Sequence, residues 1–167
     1  EPLYKEECMN AMIQSVLKGG AKALRLAGAR DIKNAKKFTD VPIIGLTKPE
    51  VIPKNWKQIV YITPGMKEIS ELISAGADII AMDGTSRPRG NDNLRKLIKY
   101  VDIHKKASMA DISTLSEAVA ARALGFDMIS TTLSGYTQNS SVETEEPDFK
   151  LLERAVTVSY THLTLPT

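Results

Sequence analysis

Five apolar runs along the chain each carry a group that can do chemistry. Arg25 lies in LRLA, Lys48 closes PIIGLTK, Asp83 closes IIAMD, Asp111 lies in SMADIS, and Thr131-Thr132 close MISTT. A run buried on both faces has no cheap place for a charge unless the charge is paired or lines a wet opening. Singly, each is as readily a polar residue entering a loop. Five in succession near the same end point to a shared face. A lysine at a narrow mouth loses hydration, so its neutral amine can act as a base. Taken alone, however, Lys48 also reads as a solvated charge ahead of Pro49. Arg25 and the threonine hydroxyls can orient an anionic or hydroxyl-rich ligand. Asp83 and Asp111 can accept hydrogen bonds from sugar hydroxyls, or serve as acid or base.

Other reactive types carry less. With two histidines, His104 and His162, neither a His-based zinc site nor a serine triad is expected. His104 reads as a helix-terminus residue facing solvent. Cys8, the sole cysteine, excludes an intramolecular disulfide; it falls in a helix and reads as a buried small apolar side chain. Arg87-Pro88-Arg89 could touch phosphate, but a solvated loop is the preferred reading. Gly135-Tyr136-Thr137 is either a mobile lid or a turn.

The elements that must position these residues repeat one phrase. VLKGGAKALRLA, LISAGADIIAMDG and ARALGFDMISTTL each read as helix end, glycine, short polar step and buried strand. Gly20, Gly76 and Gly125 suit the left-handed position that ends a helix, and the runs after them lack polar alternation. Helices are expected over 4–18, 29–38, 66–74, 91–102, 114–123 and from 147. Strands are expected over 22–27, 42–47, 78–83, 107–112 and 127–133, with a short extended piece near 58–63. Such alternation implies a parallel sheet with right-handed crossovers. Two architectures fit: a doubly wound open sheet, or part of a (β/α)8 barrel. No GxGxxG or GxxxxGK[ST] follows any strand, so the phosphate loops usual in open sheets are missing. In a barrel, chemistry collects at the carboxyl ends of the strands.

The bulk numbers are those of an ordinary globular chain of 167 residues, 43% hydrophobic and 25% charged. Twenty-two basic residues against 20 acidic leave a formal charge of +2, and aromatics make up 5%. Neither a nucleic-acid footprint nor attraction to an anionic membrane is expected. No apolar stretch approaches the roughly 20 residues that span a bilayer, and no signal peptide is read. The expected compartment is the cytoplasm. Both ends read as cut. Glu1-Pro2 lacks an initiator Met, and TVSYTHLTLPT has no acidic or basic residue. SYTHLTLPT resembles translated read-through of a sequencing adapter. The expected division is a partial barrel domain over 1–156 and a non-native tail over 157–167.

PIIGLTK, AGADIIAMDGT, MADISTLSEA and LGFDMISTTLSGYT, in that order, resemble the N-acylglucosamine-6-phosphate 2-epimerases. These enzymes of sialic acid catabolism are also called N-acetylmannosamine-6-phosphate epimerases. GGAKALRLAGARDI resembles the family's second-strand segment. The likeness runs from Glu1 to about Arg154 and is most specific between Ala110 and Thr137. It implies an α/β fold, a (β/α)8 TIM barrel of the ribulose-phosphate-binding type. It further implies a phosphorylated amino-sugar substrate, no metal or organic cofactor, and a homodimer in the complete enzyme. N-acetylmannosamine 6-phosphate would become N-acetylglucosamine 6-phosphate: the sugar opens, a base removes the C2 proton, and an acid returns one on the opposite face. By this resemblance Lys48 is the general base and Arg25 contacts substrate. Asp83, Asp111 and Thr132 line its hydroxyls and acetamido group. The family's first strand, its seventh with the lysine's partner glutamate, and its glycine-rich phosphate site have no counterpart here. The chain is thus expected to span about strands two to six and, alone, to be poorly stable and inactive. The rivals are another phosphosugar barrel, such as a ribulose-phosphate 3-epimerase, and a non-catalytic barrel relic.

Overall fold

The computed structural model describes residues 5–140 and 146–160. Along the chain run α1 (Glu6–Lys18), β1 (Leu24–Ala27), α2 (Ala29–Ala35), β2 (Ile43–Leu46), α3 (Met66–Ser74) and β3 (Ile79–Asp83). α4 (Leu94–Ile103), β4 (Ala107–Asp111), α5 (Leu115–Leu124), β5 (Met128–Ser130) and α6 (Phe149–Tyr160) follow. The five strands are parallel and lie side by side in sequence order. A doubly wound sheet reverses its order at a switch point. This one never reverses, which selects the barrel alternative: an arc of the (β/α)8 architecture.

Local chemistry explains the boundaries. α5 opens on a capping box, in which Thr114 accepts from the Glu117 backbone and the Glu117 side chain reaches back. It closes on Gly125 at φ 99, a left-handed conformation that costs glycine nothing. Asn93 caps α4 in the same sense, accepting from the Lys96 amide. Gly20 and Gly76 also take the positive φ expected of them, at 94 and 98.

The sheet packs on both faces. Leu24, Leu26, Ile43, Ile80, Met82 and Ala110 face the helix layer, where they meet Ile32, Ile69, Leu72, Leu97 and Val101. The strand period of two turns the alternate residues to the inner, concave side. There Leu46, Ala81, Ile62 and Leu133 form a smaller cluster, flanked by Ile44, Tyr61 and Met109. Arg25, Asp83 and Asp111 share this alternation and hence this face. Helix and sheet approach closely at Gly45, where an added Cβ would lie 2.8 Å from Ile32 Cδ1 and 2.9 Å from Ala77 Cβ.

Two expectations need correction, on the lengths of β5 and α2. The extended piece at 58–63 stays outside the sheet. Its amides are used singly instead, as in Val60 N–H to the Pro88 carbonyl at 3.1 Å and Thr63 N–H to the Thr47 carbonyl at 3.2 Å. It lies in the long connection between β2 and α3. β5 is shorter than 127–133, because the chain turns after Ser130, with Ser134 N–H donating to the Thr131 carbonyl at 3.1 Å. α2 stops at Ala35 where Lys37 and Phe38 form turn hydrogen bonds. At the other end, α6 continues through Tyr160, and residues 161–167, with His162, lie outside the described residues.

Candidate active site

Arg25 is the second residue of β1 and reaches the strand ends only through the length of its side chain. Its Nη2 donates to Asp111 Oδ2 at 2.6 Å, and its Nη1 lies 3.2 Å from Met109 Sδ. A side chain on β1 that touches one on β4 passes over two intervening strands, which a flat sheet forbids and a curled one permits. Asp111 is 1% exposed and Arg25 31%. Burial pushes the Asp111 carboxyl above its ordinary range, and the pull of Arg25 and of the Thr132 hydroxyl only partly offsets this. Nearby Asp83 pushes the same way as burial. Among the described residues no hydrogen bond of good geometry reaches Asp111 Oδ1.

Asp83 sits directly beside Asp111 in the parallel register, yet presents no free oxygen. Its Oδ1 accepts from the Thr85 amide at 2.9 Å and the Thr85 hydroxyl at 2.6 Å, and its Oδ2 accepts from Arg87 Nη2. Arg87 is only 3% exposed. Its Nε donates to Thr85 Oγ1 at 3.0 Å and its Nη1 to the Trp56 carbonyl at 2.8 Å. Arg89 donates to the carbonyls of Asp83 and Pro64. Within the expected solvated loop over Arg87-Pro88-Arg89, Pro88 is exposed but Arg87 is a buried brace, because an adjacent buried carboxylate draws its guanidinium inward.

A second knot gathers the loops behind this face. Glu117 Oε1 accepts from the Ser86 amide at 3.0 Å and hydroxyl at 3.2 Å. Its Oε2 accepts from the Ser113 amide at 2.9 Å, the Ser113 hydroxyl at 2.8 Å and the Thr114 amide at 3.1 Å. Burial alone would raise this carboxyl, but the donors from Ser86 and Ser113 outweigh it and hold it below the usual glutamate range. The Thr137 hydroxyl donates to Ser113 Oγ at 2.8 Å. The loops after β3, β4 and β5 are thus tied together, and Gly135–Thr137 is an anchored turn with Thr137 buried.

Of the residues singled out from sequence, Arg25, Asp111 and Thr132 meet, with Asp83 braced behind them. Lys48 lies two residues beyond β2, exposed on the rim and without an ion pair among the described residues. Thr132 is two residues beyond β5 and also exposed. His104 caps α4 at the surface, as expected, its Nδ1 2.8 Å from the Tyr100 carbonyl. Cys8 is half-buried in α1, less enclosed than anticipated. Arg87 and Glu117 were missed as site residues. The Thr-x-x-Glu spacing of Thr114 and Glu117 was visible as a helix-start signal, and Arg87 stands four residues after Asp83. Among the described residues no group of three or more His, Cys, Asp or Glu could hold a metal ion. The mouth brings together one amine without an ion pair among the described residues, a charged pair and hydroxyls, a set suited to proton transfer on a polar, oxygen-rich ligand.

Comparison with known proteins identifies the family. A family model described as "Putative N-acetylmannosamine-6-phosphate epimerase" matches residues 9–163. A protein of Clostridioides difficile (strain 630) named "Putative N-acetylmannosamine-6-phosphate 2-epimerase" is 42% identical over 158 residues, covering 93% of this chain and 68% of that protein. One of the same name from Caldanaerobacter subterraneus subsp. tengcongensis is 44% identical over 158 residues, covering 92% and 64%. A solved structure of the N-acetylmannosamine-6-phosphate 2-epimerase from Clostridium perfringens superposes with a TM-score of 0.86 at 41% identity, over 94% of this chain and 67% of that one.

Proposed function

Because the chain belongs to the N-acetylmannosamine-6-phosphate epimerase family, we propose that its sheet mouth converts N-acetylmannosamine 6-phosphate to N-acetylglucosamine 6-phosphate by moving a proton at C2. This places the protein in amino-sugar catabolism. The observation that carries the reading is the Arg25–Asp111 pair beside Thr132, on the same rim as the free amine of Lys48. Ring opening gives an aldehyde, and the C2 proton beside it becomes acidic. Lys48 takes that proton and leaves an enolate across C1 and C2. Return of a proton to the opposite face of C2 inverts the centre. Arg25 is assigned to the substrate's oxygens, with Asp111 orienting it and accepting from a hydroxyl. Thr132 supplies a hydroxyl to the same group of contacts. Asp83 supports them from beneath.

Lys48→Met in the full-length protein tests the assignment. A positioned general base contributes roughly 10²–10⁴-fold, so deuterium incorporation at C2, followed by NMR in heavy water, should fall by about that factor. Substrate should still raise the thermal midpoint. Exchange at the unaltered rate would remove Lys48 from the role. The reading also includes a homodimer, which sedimentation would check, and action in the cytoplasm, which the single cysteine supports. No helix among the described residues is long and apolar enough to cross a membrane.

A further inference from the structure

We infer that Arg87 is a positioning residue for this proton transfer: it clamps the connection that carries Lys48 to the end of the central strand β3. The inference rests on Lys48 being the base. Lys48 opens the connection between β2 and α3, whose tip, Val51 and Ile52, is 82% and 60% exposed and so packs on little. That tip cannot hold the lysine still. Two groups of contacts can. The first is the neck, where the Thr47 amide donates to Thr63 Oγ1 at 3.0 Å and the Thr63 amide returns to the Thr47 carbonyl at 3.2 Å. The second is at Trp56, eight residues beyond Lys48, where Arg87 Nη1 takes the backbone carbonyl.

Arg87 suits this task because its three nitrogens go to three different places. Nη2 is on the Asp83 carboxylate, Nε on the Thr85 hydroxyl and Nη1 on the Trp56 carbonyl. Asp83 is fully buried on the middle strand of the five, so its position is that of the sheet itself. Arg87 transmits that position outward to the Lys48 connection. Gln138 N–H to the Lys57 carbonyl at 3.2 Å and the tilted Trp56–Tyr136 ring contact add a hold from the β5 side. The same bonds engage both Asp83 oxygens within the protein. Its carboxylate orients Arg87.

Lysine cannot reproduce this, since an ammonium is a point donor without the planar fork. Arg87→Lys keeps a positive charge beside Asp83 but lets go of Trp56. Misplacing a catalytic group by about 1 Å can cost about 10²-fold. The expected result is a 10- to 100-fold loss in kcat and in C2 deuterium exchange (about 10–100-fold), with KM changed little. A merely structural role would instead lower the active fraction and leave the kcat of the folded protein alone. The chain's single tryptophan reports independently of activity: in Arg87→Lys the Trp56 emission should shift to the red and become more open to acrylamide. Unchanged kcat together with unchanged Trp56 emission would overturn the inference. If Arg87→Lys does not fold, hydrogen exchange on the unsubstituted protein decides. The amides of Trp56 and Gln58 should then be protected like those of β3, and exchange as fast as at Val51 counts against the clamp. Failure of Lys48→Met to slow exchange would sink the base assignment while leaving the Trp56 result standing, so the two failures are separable.

Discussion

The charge pair between Arg25 and Asp111 is the residue-scale feature on which the mouth depends. Removing one member of a buried pair strands the other, and the full cost for a completely buried pair is about 3–5 kcal/mol. Arg25 is a third exposed, so solvent screens it. Arg25→Met should therefore destabilise by about 2 kcal/mol at neutral pH, measured by urea titration. The sign with pH follows from burial. The folded protein holds the Asp111 proton more firmly than the unfolded chain does. Its contribution to stability is therefore full below the ordinary aspartate value and declines as pH rises through the raised one. The Arg25→Met deficit should accordingly shrink in acid. A deficit equal at both pH values would show that Asp111 is not the stranded group. Arg25, Lys48 and Asp111 were legible in the sequence because a charge inside or closing an apolar run is anomalous on its face. Arg87 and Glu117 were not, since a charge in a loop or a first helical turn looks the same whether solvated or buried. Only the partner brought in by folding distinguishes them.

At the scale of elements, α5 does more than cover the sheet. Its capping glutamate also ties the loops after β3 and β4, so Glu117→Gln should cost about 2 kcal/mol at neutral pH, through donors left facing an amide nitrogen. The folded carboxyl of Glu117 is depressed. Its stabilisation is present above the ordinary glutamate value and lost as pH falls through the depressed one. Wild type and Glu117→Gln should converge in acid, and parallel curves by thermal melting would contradict the knot. Gly45→Ala tests the layer contact: its Cβ meets Ile32 and Ala77 below 3 Å, so overpacking should cost about 1–3 kcal/mol. Helix starts and stops read well from sequence because caps and glycines are local signals; Met66–Ser74 was expected over its observed span. Strand lengths read less well. Whether an extended stretch joins a ladder depends on a neighbour far along the chain, which no local pattern records.

For the whole molecule, strand order settled what periodicity left open. Alternating helices and strands suit an open or a closed parallel sheet, and only unreversed neighbours identify a barrel arc. Among the described residues β1 and β5 each pair on one side only, and α6 shows Phe149, Leu152 and Val156 to solvent as a stripe. Exposed edges and apolar stripes favour association. Phe149→Lys with Leu152→Lys should reduce concentration-dependent light scattering, while the thermal midpoint stays put because surface changes sit within about 0.5 kcal/mol. Scattering that persists unchanged would point to the strand edges instead.

The span between Arg25 and Asp111 also sets a timetable. A ribosome adding roughly 5–20 residues per second takes about 4–17 s to make the 86 residues that separate them. Throughout that interval the guanidinium has emerged and its carboxylate has not. The nascent half-sheet thus carries a hydrated cation on the side that will become its interior, which discourages premature collapse there. Ion pairing becomes available only when the fourth strand arrives, so the pair is a late step in synthesis that marks the curling of the sheet.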